Sequence, residues 1–117
     1  MRTPSMNNVT LAGNIVKDVE VKRVGDNGTA LATITIANNH RYRDKENNWQ
    51  ELATFVDVEL WGSLAERSDD FARKGTPVIV EGSLRNNRWK DKDDQFHSKL
   101  QLRAERVHVL SYPEKEK

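Results

Sequence analysis

Two carboxylates, Asp57 and Glu59, stand two residues apart in the run FVDVELWG (Phe55 to Gly62). On a β-strand that spacing puts both on one face about 7 Å apart, a separation at which a carboxylate pair could divide acid and base work. The partners such chemistry needs are missing. The histidines are His40, His97 and His108, scattered over a loop and the last strand. None forms a His–Glu pair at metal-ligand spacing, and GDNG (Gly25 to Gly28) is too short for a phosphate loop and precedes no helix. With no cysteine in the chain, disulfides, thiolate nucleophiles and cysteine-based metal sites are excluded. Asp57 and Glu59 therefore read as ion-pair partners for Arg or Lys on neighbouring strands. The chain reads as a binding protein and not an enzyme, with no cofactor and no metal expected.

The same run carries a second chemistry. Strand alternation gives Val56, Val58 and Leu60 to the core and leaves Phe55, Asp57, Glu59 and Trp61 on the opposite face. Phe55 and Trp61 are then about 20 Å apart on the polar side of one strand. Two basic runs, HRYRDK (His40 to Lys45) and RNNRWKDK (Arg85 to Lys92), each surround an aromatic, Tyr42 and Trp89. Trp49, in NNWQ, is a further ring of this kind, whereas Phe71 falls on an apolar stripe and reads as core. Exposed rings on rigid elements beside clustered cations are what single-stranded nucleic acid requires: bases stack on the rings and phosphates follow the charge. The competing use of Phe55 and Trp61 is an apolar patch under a helix or at a subunit interface.

The elements that must position these residues follow from the pattern. At 117 residues, with 36% hydrophobic and 32% charged residues, the chain fits one domain with a compact core. Its net charge of +1 makes local basic patches, not overall charge, the basis of any anion binding. The N-terminus has no apolar run suited to a signal peptide, and no stretch is apolar enough to span a membrane, so a soluble, cytoplasmic protein is expected. NNVTLAGNIV reads as a first strand, with Gly13 a bulge or bend point, and continues extended through DVEVKRV. GDNG is a turn, and TALATITIAN a second strand with Ala32, Ile34 and Ile36 on one face. Asn39 to Gln50 reads as a long polar loop or hairpin tip, and Ala53 to Trp61 as the third strand.

SLAE (Ser63 to Glu66) has the capping-box pattern, with Ser63 as N-cap and Glu66 reaching back, and Lys74 and Gly75 end that helix. TPVIVEGSL is the fourth strand. A second polar hairpin region leads to the fifth, where Leu100, Leu102, Val107 and Val109 are apolar and alternation slips near Ala104. No repeat and no low-complexity segment appears. The order β-β-β-α-β-β predicts an all-β OB-fold, a five-stranded Greek-key barrel with one helix between strands three and four. The domain is expected over residues 1–110, with 111–117 a short charged tail.

NNVTLAGN, ATITIAN, RYRDK, FVDVELWGSLAE, FARKGTPVIVEGSLR and RWKDK, in that order from Asn7 to about Leu110, make the chain resemble the bacterial-type single-stranded DNA-binding (SSB) family. The resemblance implies an OB-fold that binds single-stranded DNA with little sequence preference, commonly as a homotetramer, in replication, recombination and repair. It places the family's base-stacking aromatics on Tyr42, Phe55, Trp61 and Trp89, and the phosphate contacts are expected at Arg41, Arg43, Arg85, Arg88 and Lys90. Tyr42 and Phe55 stand where the family often has Trp, and Asp57 lies between two rings where a cation would better suit a phosphate backbone. The family's usual Gly/Pro-rich tail with an acidic, Phe-terminated end, which recruits repair and replication enzymes, has no counterpart in SYPEKEK. Alternatives are a dimeric adaptor resembling primosomal replication protein N, an OB module whose aromatic face binds protein, and an RNA-binding role.

Overall fold

The computed structural model describes residues 2–113, so the last four residues of the expected tail lie outside the described residues. Its strands are β1 (Val9–Ile15), β2 (Val21–Val24), β3 (Thr29–Arg43), β4 (Trp49–Trp61), β5 (Pro77–Lys90) and β6 (Phe96–Val109). A short helix, α1 (Ser63–Arg67), and a 3-10 turn (Ser68–Asp70) lie between β4 and β5. The sheet runs β1-β5-β6-β4-β3-β2, and β1 also pairs with β3 through Asn14 opposite Ala37 and Ile15 opposite Ile36. That last pairing closes a five-stranded barrel, the predicted OB-fold layout. No helix among the described residues is long and apolar enough to cross a membrane.

β1 and β2 are the two halves of the expected first strand. Between them the chain leaves the sheet and seals the barrel end against the segment after α1. The Val19 N–H donates to the Ala72 carbonyl at 3.0 Å, the Gly75 N–H to the Ile15 carbonyl at 2.6 Å, and Asp18 accepts the Lys74 N–H at 2.9 Å. The interior is filled by alternate positions, as the pattern of each strand requires. Ile15, Ile34, Ile36, Val58, Leu60, Val78, Val80 and Leu102 are fully buried, with Ala65, Phe71 and Ala72 across one end.

Several local expectations are corrected. Gly13 is not a bulge, since β1 pairs without interruption from Val9 to Asn14. It is glycine because a Cβ there would strike the Ala37 carbonyl where the barrel closes. The slip near Ala104 is real: Glu81 faces Arg106 while Gly82 faces Ala104, leaving Glu105 as the extra residue of a bulge. Leu100, one of the apolar positions read for the fifth strand, is 61% exposed, because β6 still lies in the arm there and has not yet entered the barrel.

The predicted capping box does not form. Gly62, at φ 61°, is the N-cap, no side chain caps the helix, and Glu66 pairs with Arg23 at 2.8 Å instead. The helix is also shorter than expected. The Ser68 hydroxyl donates to the Ala65 carbonyl at 2.5 Å, satisfying an end carbonyl and turning the chain into the 3-10 segment. Both polar regions take the hairpin form expected of them, and their strands are longer than the pattern suggested: β3–β4 and β5–β6 continue beyond the barrel as paired arms, closed by turns at residues 44–48 and 91–95.

Candidate nucleic-acid interface

The register of β3 against β4 is unbroken from Leu31 opposite Trp61 to Arg43 opposite Trp49, so odd-numbered positions share one face along this ribbon. The outer face of β4 thus carries Trp49, Phe55, Asp57, Glu59 and Trp61, beside Thr35, Arg41 and Arg43 of β3. β6 lies next to β4 in parallel, with Glu59 facing Arg103, and extends that face with His97, Lys99, Gln101 and Arg103. Side-chain contacts confirm the shared face. Lys99 pairs with Asp57, the Arg103 guanidinium lies 5.0 Å from the Trp61 ring centre, and His97 stacks on Trp89 at 5.6 Å.

This geometry divides the predicted residues. Phe55, Trp61 and Trp89 share the outer face with Arg41, Arg43 and Arg85. Tyr42 faces Gln50 across the ribbon, and alternation places it on the opposite side from Phe55, where it stacks on His40 at 6.2 Å. Arg88 and Lys90 likewise alternate with Trp89 and lie on the other side of their arm. Phe55 is 64% exposed, Trp89 45% and Tyr42 42%. Trp61 is only partly exposed: Arg103 covers one side of its ring, and Trp61, Arg103 and Ala104 line a hollow of about 300 Å³.

Lys99, Gln101 and Arg103 were not singled out from the sequence. The alternation KLQLR, polar residues between Leu100 and Leu102, is their signal, but only the β4–β6 pairing shows which strand they stand beside. Gln101 is buried on this face and, among the described residues, its Oε1 has no partner, nor has Nε of Arg103. Both are polar atoms left for a ligand or solvent to satisfy.

The carboxylates have structural work here. Partial burial pushes the Asp57 carboxyl up, but hydrogen bonds from Lys99 and from the Thr35 hydroxyl, the latter at 2.7 Å, outweigh it and hold the group below its ordinary range. Asp57 is thus the ion-pair partner expected of it. Glu59 instead accepts a bond from Trp61 Nε1 at 3.3 Å. The histidines do not converge: His40 stacks on Tyr42, His97 bonds Asp91 at 2.6 Å and His108 bonds Glu81 at 2.8 Å.

One face of the barrel and its arms thus carries four rings, Trp49, Phe55, Trp61 and Trp89, among cations. The comparisons with known proteins agree with the predicted fold and family. The Single-strand binding protein family matches residues 6–110 of the chain. Single-stranded DNA-binding protein 2 of Chlorobaculum tepidum is 35% identical over 108 residues, 92% of this chain and 73% of that protein. The single-stranded DNA-binding protein of Helicobacter hepaticus is 35% identical over 104 residues, 89% of this chain and 61% of that one. In fold, the chain superposes on the Plasmodium falciparum SSB in complex with ssDNA with a TM-score of 0.80 at 23% identity, covering 95% of this chain and 100% of that one. The chain belongs to the single-strand binding protein family.

Proposed function

We propose that the chain binds single-stranded DNA with little sequence preference, stacking bases on Phe55, Trp61 and Trp89 along the outer face of the barrel. The observation that carries this reading is the collection of those three rings, with Lys99, Arg103, Arg41, Arg43 and Arg85, on one face of neighbouring strands. Tyr42, Arg88 and Lys90, turned to the other side of the arms, contact a strand long enough to pass around them. Three stacked bases at about 1–3 kcal/mol each supply about 3–9 kcal/mol, against about 12 kcal/mol for a nanomolar complex. Phosphate contacts must make up the difference, so binding is salt-sensitive. The family's names and the ssDNA-bound neighbour support the same ligand.

In this reading the protein is a non-catalytic cytoplasmic protein of the nucleoid that covers single strands during replication, recombination and repair. It works as a self-associated assembly, a homotetramer by family resemblance. The test is anisotropy of labelled oligo(dT), oligo(dA) and a duplex of equal length, with light scattering for the assembly. Tight binding to both single strands, and far weaker binding to duplex, is expected. Equal binding to duplex, or none to any, would turn the aromatic face into a protein-docking surface.

A further inference from the structure

We propose that the rings of Trp49 and Phe96 are positioning residues, each holding a pair of cations as a preformed phosphate clamp at the tip of one arm. Arg41 and Arg43 form the pair on Trp49, Arg88 and Lys90 the pair on Phe96. The inference rests on the single-strand-binding reading and gives a role to two rings outside its stacking set.

The two arm tips are the same structure built twice, a short repeat that the whole-chain pattern concealed. Arg41-Tyr42-Arg43-Asp44-Lys45 corresponds to Arg88-Trp89-Lys90-Asp91-Lys92. In each turn the first Asp donates its N–H across the turn, Asp44 to the Asn48 carbonyl and Asp91 to the Gln95 carbonyl, both at 3.0 Å. In each, one residue is left-handed, Asn47 at φ 66° and Asp94 at φ 62°. In each, the Asp carboxylate accepts two turn N–H groups, from Glu46 and Asn48 or from Asp93 and Gln95, at 2.8–3.0 Å. Each turn therefore delivers the same cross-strand pair, Arg43 opposite Trp49 and Lys90 opposite Phe96.

The charged groups settle on the rings. Arg41 and Arg43 lie 5.0 and 4.7 Å from the centre of Trp49, and Arg88 and Lys90 lie 5.6 and 5.1 Å from that of Phe96. These are cation–π distances. The rings are 56% and 67% exposed, so neither fills a core. Two like charges gathered on one exposed ring repel each other until an anion comes between them. The turn carboxylates do not serve as that anion, because Asp44 and Asp91 are engaged with turn N–H groups and with Gln50 and His97. The nearest acid to Lys90 is Asp94, at 4.0 Å. Arg88, Trp89, Lys90 and Phe96 also line a hollow of about 480 Å³. Long cationic side chains lose much freedom when they bind, and a ring that holds them beforehand reduces that loss. A phosphodiester is the anion that a single strand presents to both tips.

The test measures binding of labelled long oligo(dT) across a potassium chloride series. Trp49→Ala and Phe96→Ala should each weaken binding about three- to tenfold and flatten the slope of log K against log salt by about 1. Trp49→Phe and Phe96→Tyr should restore both. In an Arg41→Gln/Arg43→Gln background, Trp49→Ala should have no further effect, because the ring then has nothing to hold. Weakened binding with an unchanged slope would mean that the rings stack on bases directly, and overturns the proposal, as does unchanged binding. No binding by the unaltered protein would remove the single-strand reading itself.

Discussion

Asp57 is the acid in the middle of a surface proposed to hold phosphates, and replacing it with Asn separates its effect on the ligand from its effect on the fold. A phosphate flanking a base stacked on Phe55 or Trp61 would pass about 8 Å from the carboxylate. Repulsion there is about 0.5 kcal/mol with the dielectric of water and about 2 kcal/mol at an effective dielectric of 20. Removing the charge should therefore tighten binding of oligo(dT) by about two- to thirtyfold. It also frees Lys99, whose side chain is 52% exposed, for a phosphate, and the salt slope should steepen by about 0.7. The fold should lose little. The Thr35 hydroxyl can still bond the amide, and a half-exposed ion pair is worth about 0.2–1 kcal/mol. The carboxyl is held below its ordinary value of 3.8. Its contribution is therefore present above about pH 4 and is lost as the pH falls through the depressed value. Urea melts should find Asp57→Asn slightly less stable than the parent at pH 7, with the gap narrowing below about pH 4 and closing once the pH falls through the depressed value. Anisotropy titrations at several salt concentrations supply the other half. Weaker binding by Asp57→Asn, or an unchanged salt slope, would refute the placement of a phosphate path over this strand.

Other consequences concern the fold and the division of the site. Gly82 sits where a Cβ would strike the backbone carbonyl of Arg103, so Gly82→Ala should cost about 1–3 kcal/mol; a thermal melt identical to the parent's would contradict the close approach. The Asn7 side chain donates to the Leu84 carbonyl at 2.9 Å and accepts its N–H at 2.8 Å, pinning the base of the β5–β6 arm. Asn7→Ala should speed hydrogen exchange at the Leu84 amide and cost about 1 kcal/mol. Trp61→Ala should weaken binding of short and long oligo(dT) alike by about 1–3 kcal/mol. Tyr42→Ala, on the other side of its arm, should be felt only with long oligonucleotides.

The barrel was legible where one face of a strand is buried and the other wet. Ala32, Ile34 and Ile36 of β3 and Val58 and Leu60 of β4 alternate because the core demands it, and that alternation also put Phe55 and Trp61 outside. The arms were legible as polar hairpins but the extent of their strands was not, since both their faces meet solvent and no apolar period survives in RYRDKENNWQ or RWKDKDDQFH. For the same reason Tyr42 and Trp89 could be recognised as a matched pair of rings but not assigned to faces. The capping box failed because its pattern describes a helix start in isolation. Here Gly62 turns the chain off β4 in a conformation that favours glycine, and Arg23 of the β2–β3 hairpin takes Glu66. Lys99 and Arg103 were missed because their importance lies in β6 pairing with β4, a parallel contact that local pattern does not reveal.

The most direct measurement is tryptophan fluorescence on three single-tryptophan proteins, retaining Trp61, Trp89 or Trp49 with the other two changed to Phe, titrated with oligo(dT). The account predicts strong quenching of Trp61 and Trp89 that saturates at the same oligonucleotide concentration, and a much weaker response from Trp49 beneath its two arginines. Quenching confined to Trp49, or none at Trp61 and Trp89 while the oligonucleotide is bound, would contradict a stacking surface on the outer face of the barrel.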